Sequence, residues 1–423
     1  MMRKLLIGLV VLLLAAAAIL AIGYQPTVYL MPTPVAISTG ELNPFDLNPN
    51  QEKSNEIQIL FATNRLPAGK AENRTYTIFP GNKLRMGIAR MRIGEKETPW
   101  ENIFNLSTSA ETGSRPALRL EGIQELAQYP LKGNDAAQPA NTRLLADLVN
   151  KALEGSVDKD ITIYVHGANT AIYRASAQAA QYHHFTGQNS VVLVFLWPSA
   201  ENLFAYGTDV QHALHSAPAF AQLLNLLAKH TDAENINILA YSAGAQIVSP
   251  ALDIIGRNTG KEERKELRLG EIYYAAGDIG VDTFVKHLQS YIDMPRSTTL
   301  AMNLSDRVLA LAARRNKISR VGRPEEDDLS PEKIQWIQNA STTSRLNIIK
   351  VSTETVSGMR PSSHDFWYAH PWVSSDILTQ FLFHMSPAER GLVEAVRDDN
   401  LRYWTFPPDY PERIIDIIKA NTG

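Results

Sequence analysis

Along this chain, apolar residues gather in short unbroken runs, separated by longer stretches in which they recur every three or four positions. The runs "ITIYV" (161–165), "SVVLVFLW" (190–197), "INILAY" (236–241), "EIYYAA" (271–276), "TTLAMNL" (298–304) and "RLNIIKV" (345–351) read as strands. None alternates polar with apolar, so each is expected to be buried on both faces. "EIQILFAT" and "LRMGIARMRIG" read as earlier strands, and "NTRLLADLVNKALE" as an amphipathic helix. Strands alternating with helices predict an α/β class: a mostly parallel central sheet with helices on both faces. "KEERKELR" (261–268) reads as a solvated helix face or loop.

One run breaks in an informative way. "INILAYSAGAQIVSPALDII" (236–255) is a buried strand that stops at Ser242 among small residues. It then resumes with Ile247, Val248, Ala251, Ile254 and Ile255 at helical spacing. The pattern predicts strand, tight turn, helix, with a serine at the apex. Bulky neighbours would clash in such a reversal, which explains Ala240, Ala243 and Gly244.

Ligands of open α/β sheets bind beyond the carboxyl ends of the strands. The residues there are His166-Gly167-Ala168-Asn169-Thr170, Trp197-Pro198-Ser199, Ser242, Gly277-Asp278, Ser305-Asp306 and, a few residues past the last run, His364. A serine hydroxyl needs a neighbouring base, histidine suits that task, and a carboxylate must orient the imidazole. The order Ser242, Asp306, His364 is that of the α/β-hydrolase triad, with Asp278 as the alternative acid and His370 as a competing histidine. Backbone N–H groups of Ala243 and Ala168 are the expected oxyanion donors. His166, Gly167, Trp197 and Tyr241 are candidates to surround the pocket, His166 by orienting the oxyanion loop. Asp278, if not the acid, is read as holding the turn at Gly280. Residues 200–220 read as a crossover helix that could lean over the site as a cap. Phe366, Trp367, Tyr368 and Trp372 suit either an acyl pocket or packing against the last helices.

Composition narrows the function. The chain has 423 residues, a formal net charge of -3 and no cysteine. No nucleic-acid partner is indicated, and disulfides, thiolate zinc sites and a cysteine nucleophile are excluded. His183-His184 and His212 with His215 lack a metal-binding pattern and read as solvated or half-buried helix surface. Neither metal nor cofactor is expected. At the N-terminus, Arg3 and Lys4 precede an apolar run of about 18 residues, Leu5–Ile22. Residues 1–23 therefore read as a cleaved signal peptide or a retained membrane anchor, with the remainder exported. Residues 24–55, rich in Pro, Asn and Ser, read as an extended linker, and residues 56–423 as the hydrolase domain.

Together "FATNR" (61–65), "YVHGANT" (164–170), "LWPS" (196–199), "LAYSAG" (239–244), "AAGDIGVDTF" (275–284), "NLSDRVLAL" (303–311), "SSHDFW" (362–367) and "SPAERGL" (386–392) resemble the bacterial α/β-hydrolases of the esterase/lipase superfamily whose function is unknown. The resemblance spans roughly residues 56–395. It departs at the nucleophile, where Tyr241 stands in place of the usual histidine and Ala240 in place of the first glycine of G-x-S-x-G. It implies a serine hydrolase, for which a small-molecule or lipid ester is the default substrate; the N-terminal run adds the expectation of a domain in the periplasm or anchored in the inner membrane facing it. The contrasting expectation is a non-catalytic envelope scaffold or binding protein on the same fold.

Overall fold

Uninterrupted β-branched and aliphatic runs have nowhere to go but the centre of a sheet, and that is where they lie. In a computed structural model, residues 26–48, 53–70, 74–110, 113–131, 139–325, 329–398 and 400–422 are described. They contain β1 (Glu56–Ala68), β2 (Thr75–Ile93), β3 (Leu118–Pro130), β4 (Ile161–Val165), β5 (Val191–Phe195), β6 (Ile236–Tyr241), β7 (Leu269–Ala275), β8 (Ser297–Met302), β9 (Leu346–Lys350), β10 (Val393–Val396) and β11 (Arg402–Thr405). All form one sheet in the order β10-β11-β9-β8-β7-β6-β4-β5-β1-β2-β3. The central strands pair in parallel, while β2 and β3 on one flank and β10 on the other are antiparallel. Separate apolar clusters form on the two sheet faces: Tyr164, Leu239 and Tyr273 belong to one, Ile163, Ile238 and Tyr274 to the other. This two-sided burial is why β4 to β7 show no polar alternation.

The helices are crossovers. Pro139–Gly155, Ile172–Phe185, Tyr206–His230, Ala245–Asn258 and Val281–Tyr291 each lead from one strand toward the next. The segment after β5 is thus a crossover, and Tyr206–His230 is its helix. Lys261–Glu266 carries no buried residue, as its charge run suggests. β4 lies between β5 and β6, so the chain leaves β4 to one side and returns on the other. That reversal opens a crevice at the carboxyl ends of β4 and β6.

The expected extended linker is corrected. Residues 1–25 and 49–52 lie outside the described residues, but residues 26–48 pack against the domain. Leu30, Met31, Ala36, Ile37, Leu42 and Phe45 are all buried. The Met31 N–H donates to Gln181 Oε1 (3.0 Å), Ala36 N–H to Ser375 Oγ (3.0 Å), and Asn189 Nδ2 to the Pro44 carbonyl (2.6 Å). Proline and asparagine give this stretch an extended, turn-rich backbone; the spaced apolar side chains nevertheless fasten it as a strap. The expected signal or anchor, residues 1–23, falls outside the described residues. Among the described residues, no helix is long and apolar enough to cross a membrane.

Candidate active site

At the end of β6 the backbone turns sharply. Ser242 has φ +52°, a left-handed conformation that a non-glycine residue adopts only under strain. A short turn, Ser242–Gly244, then feeds the helix Ala245–Asn258. Gly244 is obligatory by space: a Cβ there would lie 2.4 Å from the Val165 carbonyl oxygen. Gly167 is similar, its notional Cβ falling 3.0 Å from the Ser242 Cβ. The turn after β4 and the serine after β6 are therefore in contact across the crevice.

His364 arrives from the loop after β9. Its Nε2 is 2.9 Å from Ser242 Oγ, and its Nδ1 is 2.6 Å from Asp306 Oδ2. Asp306 follows β8, is fully buried, and caps the helix Arg307–Asn316 by accepting from the N–H groups of Val308 (2.8 Å) and Leu309 (3.0 Å). One carboxylate oxygen is thus fixed by the helix start, leaving the other for the imidazole. The structure brings together Ser242, His364 and Asp306, and does not bring Asp278 to the histidine. Asp278 instead pairs with the buried Arg320 (Oδ1 to Nε 2.5 Å) and accepts from the Tyr206 hydroxyl (2.8 Å), while its N–H donates to the Ser242 carbonyl (2.9 Å). It clamps the first turn of the long helix Tyr206–His230 beside the serine. His370 is turned away: its Nε2 is 2.9 Å from the Ser357 carbonyl oxygen, and it caps the helix Pro371–Phe383.

The loop carrying Ala168 is held by buried polar groups. His166 stacks on Trp197 at 5.0 Å between ring centroids, Trp197 Nε1 donates to the His166 carbonyl (2.8 Å), and His166 Nδ1 lies 2.8 Å from the Gly167 carbonyl. Burial, with the Arg65 charge second, lowers the His166 pKa to about 3, so the ring is neutral. Trp197 is completely buried, which corrects its reading as a pocket wall: it supports the loop from beneath. Tyr241 does face the histidine, its ring 5.3 Å from that of His364 and 6.1 Å from Tyr368. Phe366 and Trp367 are buried, and Trp372 packs against Tyr410, so of the aromatics in this segment Tyr368 lies nearest the site's edge.

Several residues important to this arrangement escaped the sequence reading. Arg65, buried without exposure, donates Nε to the Trp197 carbonyl (2.9 Å), Nη2 to the Thr170 carbonyl (3.3 Å) and Nη1 to Glu201 (2.7 Å), tying the loops after β4 and β5 together. Asp209 does the same from the long helix, accepting from the N–H groups of Asn169 (2.7 Å) and Ala200 (2.5 Å). Asn303 donates Nδ2 to the Ser363 carbonyl (2.8 Å), joining the acid's turn to the histidine's loop. Arg174 hydrogen-bonds Tyr368, whose ring lies edge-on to Tyr241. "FATNR" was visible as a motif; its role as a brace was not, because its partners lie more than a hundred residues away.

One histidine pair is also corrected, whereas His212 is half-buried and His215 exposed, as expected. His183 and His184 are buried rather than solvated, and His184 Nε2 is 2.7 Å from Ser107 Oγ within a ring cluster with Phe45 and Trp100. Burial lowers their pKa values to about 4 and about 3. Among the described residues, no cluster of His, Asp and Glu could hold a metal ion.

A serine at a strained apex, bonded to an imidazole that is bonded in turn to a buried carboxylate, is chemically equipped for nucleophilic attack. A family model described as an alpha/beta hydrolase of unknown function (DUF900) matches residues 142–379. That stretch includes the serine, the aspartate and the histidine. No curated protein matches the chain.

Proposed function

The chain belongs to this family of α/β-hydrolases, and from that premise we propose that it is a serine hydrolase cleaving carboxylic esters. The observation that carries the proposal is the continuous hydrogen-bonded chain Ser242–His364–Asp306 at 2.9 and 2.6 Å. In this reading the Ser242 hydroxyl attacks the ester carbonyl while His364 Nε2 takes its proton. The negative charge on the tetrahedral oxygen is met by the N–H groups of Ala243 and Ala168, held in place by the contact between Gly167 and Ser242. His364 then protonates the departing alcohol, leaving an acyl group on Ser242. A water molecule, deprotonated by His364, attacks that acyl-enzyme, releasing the acid and restoring the serine. Asp306 stays ionised throughout, holding the imidazole tautomer and stabilising the imidazolium. Side chains and backbone supply every step. On the same reading, the apolar run Leu5–Ile22 supports export of the domain across the inner membrane, either tethered or released.

The test is labelling by a fluorophosphonate probe, with Ser242→Ala alongside. Labelling of the parent that disappears in the variant is the expected result, followed by turnover of simple aryl esters. A folded parent that takes up no probe would mean that Ser242 is not activated, and the fold would then be serving binding alone.

A further inference from the structure

The helix Arg307–Asn316 begins at the carboxylate that holds His364, and its surface is unusual. Its inward side carries Leu309, Ala312 and Ala313, all buried. Its outward side carries Val308, 52% exposed, and Leu311, 69% exposed, one turn apart and interleaved with Arg307, Arg314 and Arg315. Leu304 just before it is 44% exposed and Ile318 just after it 48%. The Arg315 guanidinium lies 5.6 Å over the Tyr206 ring, which places the segment carrying Phe204, 64% exposed, beside the helix.

Single exposed aliphatic residues are ordinary; a run of them at helical spacing on the rim of a reactive site is not. Along the stretch itself the exposed charge has one sign. From Leu304 to Ile318 the only carboxylate is Asp306, which is buried. Arg307, Arg314 and Lys317 make no ion pair with the described residues. This stands out in a chain whose net charge is -3. Apolar side chains set among uncompensated cations match a surface of anionic phospholipid, whose acyl region accepts Val308 and Leu311 and whose phosphates answer the guanidinium groups.

We propose that this face docks on an anionic phospholipid bilayer, with the Ser242 site turned toward the lipid. This deepens the ester-hydrolase reading by naming lipid-borne esters as the substrate class, but the docking itself rests on the exposed face and not on that reading.

The absence of cysteine makes the test direct, because one introduced thiol is the only labelling position. Val308→Cys, Leu311→Cys and, as a control before β4, Val157→Cys are each labelled with a nitrobenzoxadiazole fluorophore in the full-length chain. They are reconstituted with vesicles of phosphatidylcholine alone, or with about a third of the lipid replaced by phosphatidylglycerol. Labels at 308 and 311 are expected to brighten and shift to the blue on the anionic vesicles only, and the label at 157 to stay unchanged. Replacing Arg314 and Arg315 by glutamine is expected to lower the docked-to-free ratio about thirtyfold, from the attraction of each basic residue to an anionic surface. An equal response at 157, an equal response on uncharged vesicles, or none at 308 and 311 would overturn the proposal. So would a response without lipid that grows with protein concentration, which would assign the face to a second copy of the chain. Adding Ser242→Ala separates the readings: docking persists and probe labelling is lost.

Discussion

At the scale of single residues, the two acids near Ser242 have different work. Asp306 touches His364; Asp278 touches Arg320 and Tyr206. Asp306→Asn keeps a good helix cap, since asparagine serves there as well as aspartate. It presents the wrong partner to the imidazole, and kcat for ester hydrolysis is expected to fall about ten-thousandfold with little change in melting temperature. Asp278→Asn leaves the buried Arg320 charge uncompensated and is expected to cost about 3–5 kcal/mol of stability, with the folded fraction retaining most of its activity. Thermal melts and steady-state kinetics on both variants check this, and the reverse pattern would move the acid's role to Asp278. Ser242 and Asp306 were legible in the sequence because each stands within a few residues of a strand end, and His364 because it follows the last strand run in the fixed order Ser, Asp, His. Arg65, Asp209, Asn303 and Arg174 were not. A buried arginine that joins two loops looks, in a string of letters, like any surface arginine, because its meaning lies in partners brought together only by the fold.

At the scale of elements, the doubly buried strands were the easiest to read and the sheet margins the hardest. β3 is a half-exposed strand, with Leu118, Ile123, Ala127 and Tyr129 buried at irregular intervals among polar residues, and the register against β2 shifts along its length. β10 and β11 are four residues each and only partly covered, too short for a periodicity to emerge. One element boundary carries a pH response. The helix Pro371–Phe383 ends at His384, whose φ is +52°. Its Nε2 lies 3.1 Å from Asp160 and its Nδ1 3.6 Å from Glu271, at the amino ends of β4 and β7. These carboxylates, Asp160 first, raise its pKa from 6.5 to about 9, against the opposing charge of Arg296. Burial, with the nearby Asp160 charge, raises Asp158 to about 7. Both groups hold protons more tightly in the folded state, so their contributions to stability are lost as pH rises. For Asp158 the loss runs from about 4 to about 7 and for His384 from about 6.5 to about 9. The denaturation midpoint of the parent is expected to fall across the upper window. His384→Asn, which tolerates the left-handed backbone, is expected to flatten it. Equal slopes in the two proteins would remove His384 from the account.

At the scale of the whole molecule, the domain begins earlier than its composition suggests. Four prolines and two asparagines punctuate residues 26–48 and favour an extended reading; they break the apolar residues into short groups, yet the anchors Leu30, Ile37 and Phe45 each find a buried seat. A chain beginning at residue 26 is therefore expected to be soluble and cooperative in unfolding. One beginning at residue 53 exposes the surfaces of the helices Ile172–Phe185 and Pro371–Phe383 on which the strap lies. It is expected to aggregate or to melt many degrees lower, since each large anchor contributes about 1.5–3 kcal/mol on burial. Comparable melts for the two chains would return the segment to a tether.

The strap also sets the order in which the molecule can be completed. Its Ala36 bonds to Ser375, a partner 339 residues further along the chain. A ribosome releases the strap and the helix Ile172–Phe185 long before the helix Pro371–Phe383, so the second half of the seat is the part the strap waits longest for. Until then, its apolar anchors and the strands behind them stay open to whatever holds nascent chains apart. The protein closes only when its last helices have arrived.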